Sequence, residues 1–342
     1  PLEELIMKSL ALFAMSAIAS ASAFAVTLSP APQIVINGNS NQSTSVAAGA
    51  DVHNHAYEKA SALQNVSSNK GAVEINGNSN QSTSVTGTGS LRNHANNAGD
   101  IAIQNVSSNY GVTEINGNSN QSATISAAVS NSARGAGEDC WGVDCRDTAR
   151  ALQNISSNFG NVKINGNSNQ ATTLTGGSAS NEAVGAGAVA VQSMASNTGN
   201  VSINGNSNQS VALTRATVSN HAYGKEASAV QNLASNYDGG YAGGVTINGN
   251  SNQSVGGTAG TIFNEADGNY AKAFQNLSSN MANVTINGNS NQSTVVNGTV
   301  WNKAEGRYSV AVQNLSSNDA CEPPKFKLPD CPTGYCWGSR PL

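Results

Sequence analysis

The chain of 342 residues carries 16 Lys and Arg against 20 Asp and Glu, so its formal net charge of −4 lacks the basic surplus that nucleic-acid binding requires. Charged residues make up 11% and aromatic residues 5%, both low for a globular enzyme, while 35 glycines and many Asn, Ser, Ala and Val fill the rest. Low charge with abundant Asn, Gln and Ser is also a composition of disorder, but the letter-perfect repeats in this chain argue for order.

The first element runs from Met7 and reads "MKSLALFAMSAIASASAFA". One lysine precedes an apolar run, and small residues end at Ala23-Phe24-Ala25, the pattern of a secretory signal peptide. The run is short of the ~20 residues that a membrane span needs. Residues 1–25 are therefore read as upstream residues plus a cleaved signal, with the mature chain starting at Val26. Residues 26–33 form a short lead. The expected location is secreted, extracellular or at a cell surface, with no membrane span in the mature chain.

A repeat region occupies residues 34–318. The heptapeptide "INGNSNQ" begins at Ile36, Ile75, Ile115, Ile164, Ile203, Ile247 and Ile286, with steps of 39, 40, 49, 39, 44 and 39 residues. A second motif reads "QNVSSN" at Gln64 and Gln104, "QNISSN" at Gln153, "QSMASN" at Gln192, "QNLASN" at Gln231 and "QNLSSN" at Gln275 and Gln313. Between them lies an N-x-A triplet, from Asn54-Ala56 to Asn302-Ala304. A fixed period in this range marks a repeat architecture.

Within one unit, Val73 and Ile75 alternate with Glu74, and Gln81, Thr83 and Val85 share one face of the next segment. Between these segments "NGNSN" is turn chemistry, and the glycines at Gly38, Gly77, Gly117, Gly166, Gly205, Gly249 and Gly288 are expected to supply positive φ. Four short strands per unit follow from the pattern. The fold class is therefore all-β: a β-solenoid of stacked strand-turn-strand rungs built from seven ~39-residue repeats. Two rungs per unit would give roughly 14 rungs and a stack of about 65–70 Å.

Such a stack places like on like. The inward residues are small or amide-bearing, and an unpaired buried amide costs ~1–3 kcal/mol. Identical amides in register satisfy one another from rung to rung. Expected ladders are Gln64, Gln104, Gln153, Gln192, Gln231, Gln275 and Gln313; Asn69, Asn109, Asn158, Asn197, Asn236, Asn280 and Asn318; and Asn41, Asn80, Asn120, Asn169, Asn208, Asn252 and Asn291.

These units resemble the curlin repeat of bacterial functional amyloid, Q-x-G-x-G-N-x-A. Gln104 and Asn109 take the Gln and Asn positions of one half, and Gly117, Ser119, Asn120 and Ser122 follow Ile115 in the other. Ile stands where the curlin repeat has its second Gln, and Ser stands at its second Gly. The resemblance covers roughly Ile34 to Asn318. It implies a fibre subunit that self-associates, leaves the cell through a dedicated outer-membrane pore and starts on a nucleator.

Chemistry is sparse. Of His53, His55, His94 and His221, three fall in or beside the variable N-x-A strand, in "NHA", where other units carry Ser, Glu or Lys. That position reads as an outer face. Glu74 and Glu114 are equivalent in adjacent units and give way to Lys163, Ser202 and Thr246, which also reads as a solvated face. Without convergent acids, bases or nucleophiles, no enzyme, cofactor or metal is expected.

Cys140 and Cys145 bracket "WGVD" in the unit with the 49-residue step, and a disulfide closing that loop is the leading reading in an exported protein. Cys321, Cys331 and Cys336 lie in the Cys- and Pro-rich tail, residues 319–342. Three cysteines leave one over unless it bonds another chain or the pairing differs.

The leading function is a secreted structural subunit assembling into amyloid-like fibres for biofilm matrix and surface adhesion. The alternative is a monomeric capped β-solenoid that acts as an adhesin or an ice binder, with the Ser82–Ser84 triplets as its array. An enzyme on a β-helix ranks last.

Overall fold

A computed structural model describes residues 34–57, 60–97, 99–135, 149–237, 244–280 and 284–318. The leader, the tail and all five cysteines lie outside these residues. No helix of the described residues is long and apolar enough to cross a membrane.

The described chain is all-β, with parallel sheets of many stacked strands, an arrangement compatible with a β-solenoid. The first unit contributes five strands: β1 (Ile34–Ile36), β2 (Ser40–Val46), β3 (Asp51–Ala56), β4 (Leu63–Val66) and β5 (Asn69–Lys70). Each pairs in parallel with its counterpart in the next unit: Ile36 with Ile75, Asn41 with Asn80, Asn54 with Asn93, Gln64 with Gln104 and Asn69 with Asn109. Sheets headed by β1 and β4 each hold seven strands, and the β5 sheet holds five. The β2 and β3 rows join in one 12-stranded sheet, because Ser251–Asp267 and Ser290–Glu305 run through the corner that separates them in the earlier turns.

Two expectations are corrected here. Strands pair one whole unit away, so a unit closes one turn of the stack instead of making two rungs. Seven strands at ~4.8 Å spacing give a stack of about 30 Å, not 65–70 Å. The second concerns the fourth predicted strand, which is broken in two by a residue with left-handed backbone. Ser107 has φ 50°, and Ser67, Ser156, Ala195, Ala234, Ser278 and Ser316 repeat the bend at φ 47–51°.

The surplus residues of the long units fall in 136–148 and 238–243, outside the described set. Register survives them: Leu152 still pairs with Ile103, and Val245 with Val201.

Period-two alternation decides the core. Val73 and Ile75 are buried while Glu74 is only half-buried, and Gln81, Thr83 and Val85 face in while Ser82 faces out. The column Ile75, Ile115, Ile164, Ile203 and Ile247 is fully buried. Each such side chain is worth ~1.5–3 kcal/mol on burial. A larger core gathers Val85, Ile125 and Leu174 from one facet, Leu91 and Val129 from the next, and Val106, Ile155 and Met194 from the β4 facet. A third cluster is almost pure alanine and includes Ala95, Ala133 and Ala183 facing Ala102, Ala151 and Ala190.

Candidate functional site

The β4 row carries a continuous glutamine ladder. Gln104 Nε2 donates to Gln64 Oε1 at 2.7 Å, and Gln153, Gln192, Gln231, Gln275 and Gln313 each donate to the glutamine below at 2.6–2.9 Å. The Asn69 column runs the other way. Asn69 Nδ2 donates to Asn109 Oδ1 at 3.0 Å, and the chain continues through Asn158, Asn197, Asn236 and Asn280 to Asn318. In low-dielectric surroundings these bonds polarise one another along the column.

The third expected ladder also forms, but on the outside. Asn80 Nδ2 donates to Asn41 Oδ1 at 2.8 Å, and Asn120, Asn169, Asn208, Asn252 and Asn291 follow. These side chains are half-buried or exposed, so they line the surface and do not satisfy the core. The residues facing in from this strand are glutamines, which the three expected ladders do not include. Gln81 Nε2 reaches across to Asn109 Oδ1 at 3.2 Å, and Gln121 reaches Asn158 at 3.0 Å.

A further buried ladder was missed. Asn93 Nδ2 lies 2.8 Å from Asn131 Oδ1 and 2.8 Å from the carbonyl of Ile103, so it ties two turns and two facets together. The signal was present in the invariant Asn of each N-x-A triplet, between neighbours that vary freely.

The turn glycines hold their place for a different reason from the one expected. None of Gly38, Gly77, Gly117, Gly166, Gly205, Gly249 and Gly288 has positive φ. A Cβ on Gly166 would instead sit 2.7 Å from Gly117 O and 2.7 Å from Asn118 Oδ1 in the turn below. Successive turns pack backbone on backbone there, and the neighbouring asparagine seals the corner: Asn167 N donates to Asn118 Oδ1 at 2.8 Å. At Gly38, in the first turn, a Cβ would meet nothing within 4 Å.

Positive φ is found at the SSN bend, and the second serine of that motif holds the bend. Ser157 Oγ lies 2.9 Å from Ile155 O and 3.0 Å from Ser193 O of the next turn, and it accepts from Ser196 N at 3.2 Å.

The surface columns behave as charge patterning predicts. Lys163 Nζ meets Glu114 Oε1 at 2.7 Å on an exposed face. His53 and His55 are exposed, and His94 and His221 are half-buried. Among the described residues no three of His, Cys, Asp or Glu come together as a metal-holding group. Among the described residues Asp100 is the one buried acid of the alanine columns, in line with Ala60 and Ala149, and burial raises its pKa to about 6.

Among the described residues nothing covers the two ends of the stack. Gln313 donates to Gln275, so its own Oε1 faces beyond the last turn. Gln64 accepts from Gln104, so its Nε2 faces beyond the first. Ile34 and Val35 are 54% and 48% exposed at one end, and Leu315 is 44% exposed at the other.

No family model, curated protein or solved structure matches this chain.

Proposed function

We propose that this chain is a secreted structural subunit, a β-solenoid of one turn per ~39-residue repeat, that stacks end to end into extracellular amyloid-like fibres. One observation carries the reading: the two ends are complementary in the same register that joins the turns. Gln313 Oε1 would accept from Gln64 Nε2 of the next copy, repeating the bond between Gln275 and Gln313. Asn318 would donate to Asn69 as Asn280 donates to Asn318. Leu315 would cover Val66, and Val284–Ile286 would pair with Ile34–Ile36.

Open parallel edges with unpaired backbone groups template further strands. Strands perpendicular to the stacking axis at ~4.8 Å give a cross-β fibre. The curlin resemblance supports the same assignment. It adds export behind the signal peptide, an outer-membrane pore, a nucleator, and a place in biofilm matrix and surface adhesion.

Electron microscopy of the purified chain from Val26 to Leu342, held at micromolar concentration for a day, tests this. Unbranched fibrils with a cross-β reflection are expected. Isolated particles about 30 Å tall that never lengthen would replace the proposal with a capped solenoid adhesin.

A further inference from the structure

The outward face of the β3 row changes character along the stack. One column of that face reads Arg92, Ser130, Ser180 and Ser219 in successive turns, then Phe263 and Trp301. Serine satisfies the fold at this position three times in succession, so the two rings are not demanded by packing. Trp301 is 56% exposed.

The rings form a continuous row. Trp301 and Phe263 have centroids 5.7 Å apart, Phe263 and His221 4.9 Å, and His221 stacks on Tyr223 at 5.6 Å. Beside the row stand the carboxylates of Glu265, Asp267 and Glu305, with the ammonium of Lys303 between Glu265 and Glu305. Glu265 is fixed in place, with Oε2 3.3 Å from Tyr223 Oη and 3.4 Å from His221 Nδ1. The face therefore joins π surfaces to a net negative border.

We propose that this face binds a polysaccharide bearing protonated amines. Flat ring faces accept the C–H side of a sugar ring, and ammonium groups are drawn both to the ring quadrupoles and to the carboxylates. A peptide strand has less to hold, because backbone groups on the side of a sheet are already paired and strand addition needs a free edge. The face points away from the stacking axis, so it stays open whether or not copies join at the ends.

Calorimetry of the full chain with a glucosamine hexamer tests the proposal. Phe263→Ser with Trp301→Ser installs the residue that three other turns already carry, and a melting curve confirms that the stack is intact. Binding should weaken about tenfold or more in the double variant, and salt should weaken it further. The N-acetylated hexamer, which is neutral, should bind less tightly. Equal binding by the double variant would overturn the site. Equal binding of the neutral hexamer would overturn the role of charge. Equal capture of an oligolysine peptide, lost in the same variant, would overturn the sugar.

Discussion

Asn154 and Asn232 stand one turn on either side of Ser193 in a single buried column, and each is left with an unpaired amide atom, Asn154 Oδ1 and Asn232 Nδ2. Elsewhere the column is closed: Asn105 Nδ2 donates to Asn65 at 2.8 Å, and Asn154 to Asn105 at 2.9 Å. The serine of "QSMASN" is thus a gap in a ladder, and its cost falls on its neighbours.

Filling the gap should stabilise the protein. Ser193→Asn restores two buried amide bonds and should raise unfolding free energy by ~1–2 kcal/mol in urea titration. A loss of stability would mean that the column is too narrow there for a third amide.

The opposite change breaks a complete ladder. Gln153→Leu leaves Gln104 Oε1 without its donor and removes the 2.8 Å bond of Gln192 Nε2, which keeps only the Ala179 carbonyl at 3.2 Å. A cost of ~2–4 kcal/mol is expected. Gln313→Leu interrupts a single bond at the end of the column, so it should cost about half as much in the same titration.

Alanine at the turn glycines separates folding from assembly. Gly166→Ala drives a Cβ against backbone and should destabilise by ~2 kcal/mol or more. Gly38→Ala meets nothing within its own chain, so the melting temperature should hold. In a fibre, however, Gly38 would rest on Gly288 of the preceding copy, and elongation followed by light scattering should stop. Elongation at the parental rate would count against end-to-end stacking.

Asp100 gives a signature in pH. Its folded pKa of about 6 lies above that of an ordinary Asp, so the folded chain holds the proton more tightly than the unfolded one. Stability is then greatest below about pH 4 and falls as pH rises toward 6. Asp100→Ala, which matches Ala60 and Ala149 in the same column, should remove that fall. Its advantage over the parent should grow across this window to ~2–3 kcal/mol at neutral pH. A constant difference at pH 4 and pH 7 would show that Asp100 does not titrate between them.

Much of this structure was legible in the letters. Alternation placed Ile75, Gln81, Thr83 and Val85 inward, and identical spacing put Gln on Gln and Asn on Asn. The Glu114–Lys163 column lies on the solvated face that its varying chemistry implies, and His53 and His55 are exposed, whereas His94 and His221 are half-buried. The glycine argument was not: Gly166 is a turn residue whose backbone nearly touches the next turn, and sequence cannot tell a close approach from a positive φ. The left-handed bend was hidden for a related reason, because Ser156 and Ala195 are not residues that favour it, and the hold comes from Ser157 and Ser196 bonding to carbonyls a turn away.

The sequence by itself determined the period and which side of each strand faces in, because these depend on side-chain chemistry repeated at fixed spacing. Only the tertiary structure decided how many residues close a turn, which ladders are buried and which are outside, and where an acid stands among alanines. A strand reads the same locally whether its partner is 20 or 39 residues away, and the partner is fixed by hydrogen bonds between units that no single unit contains.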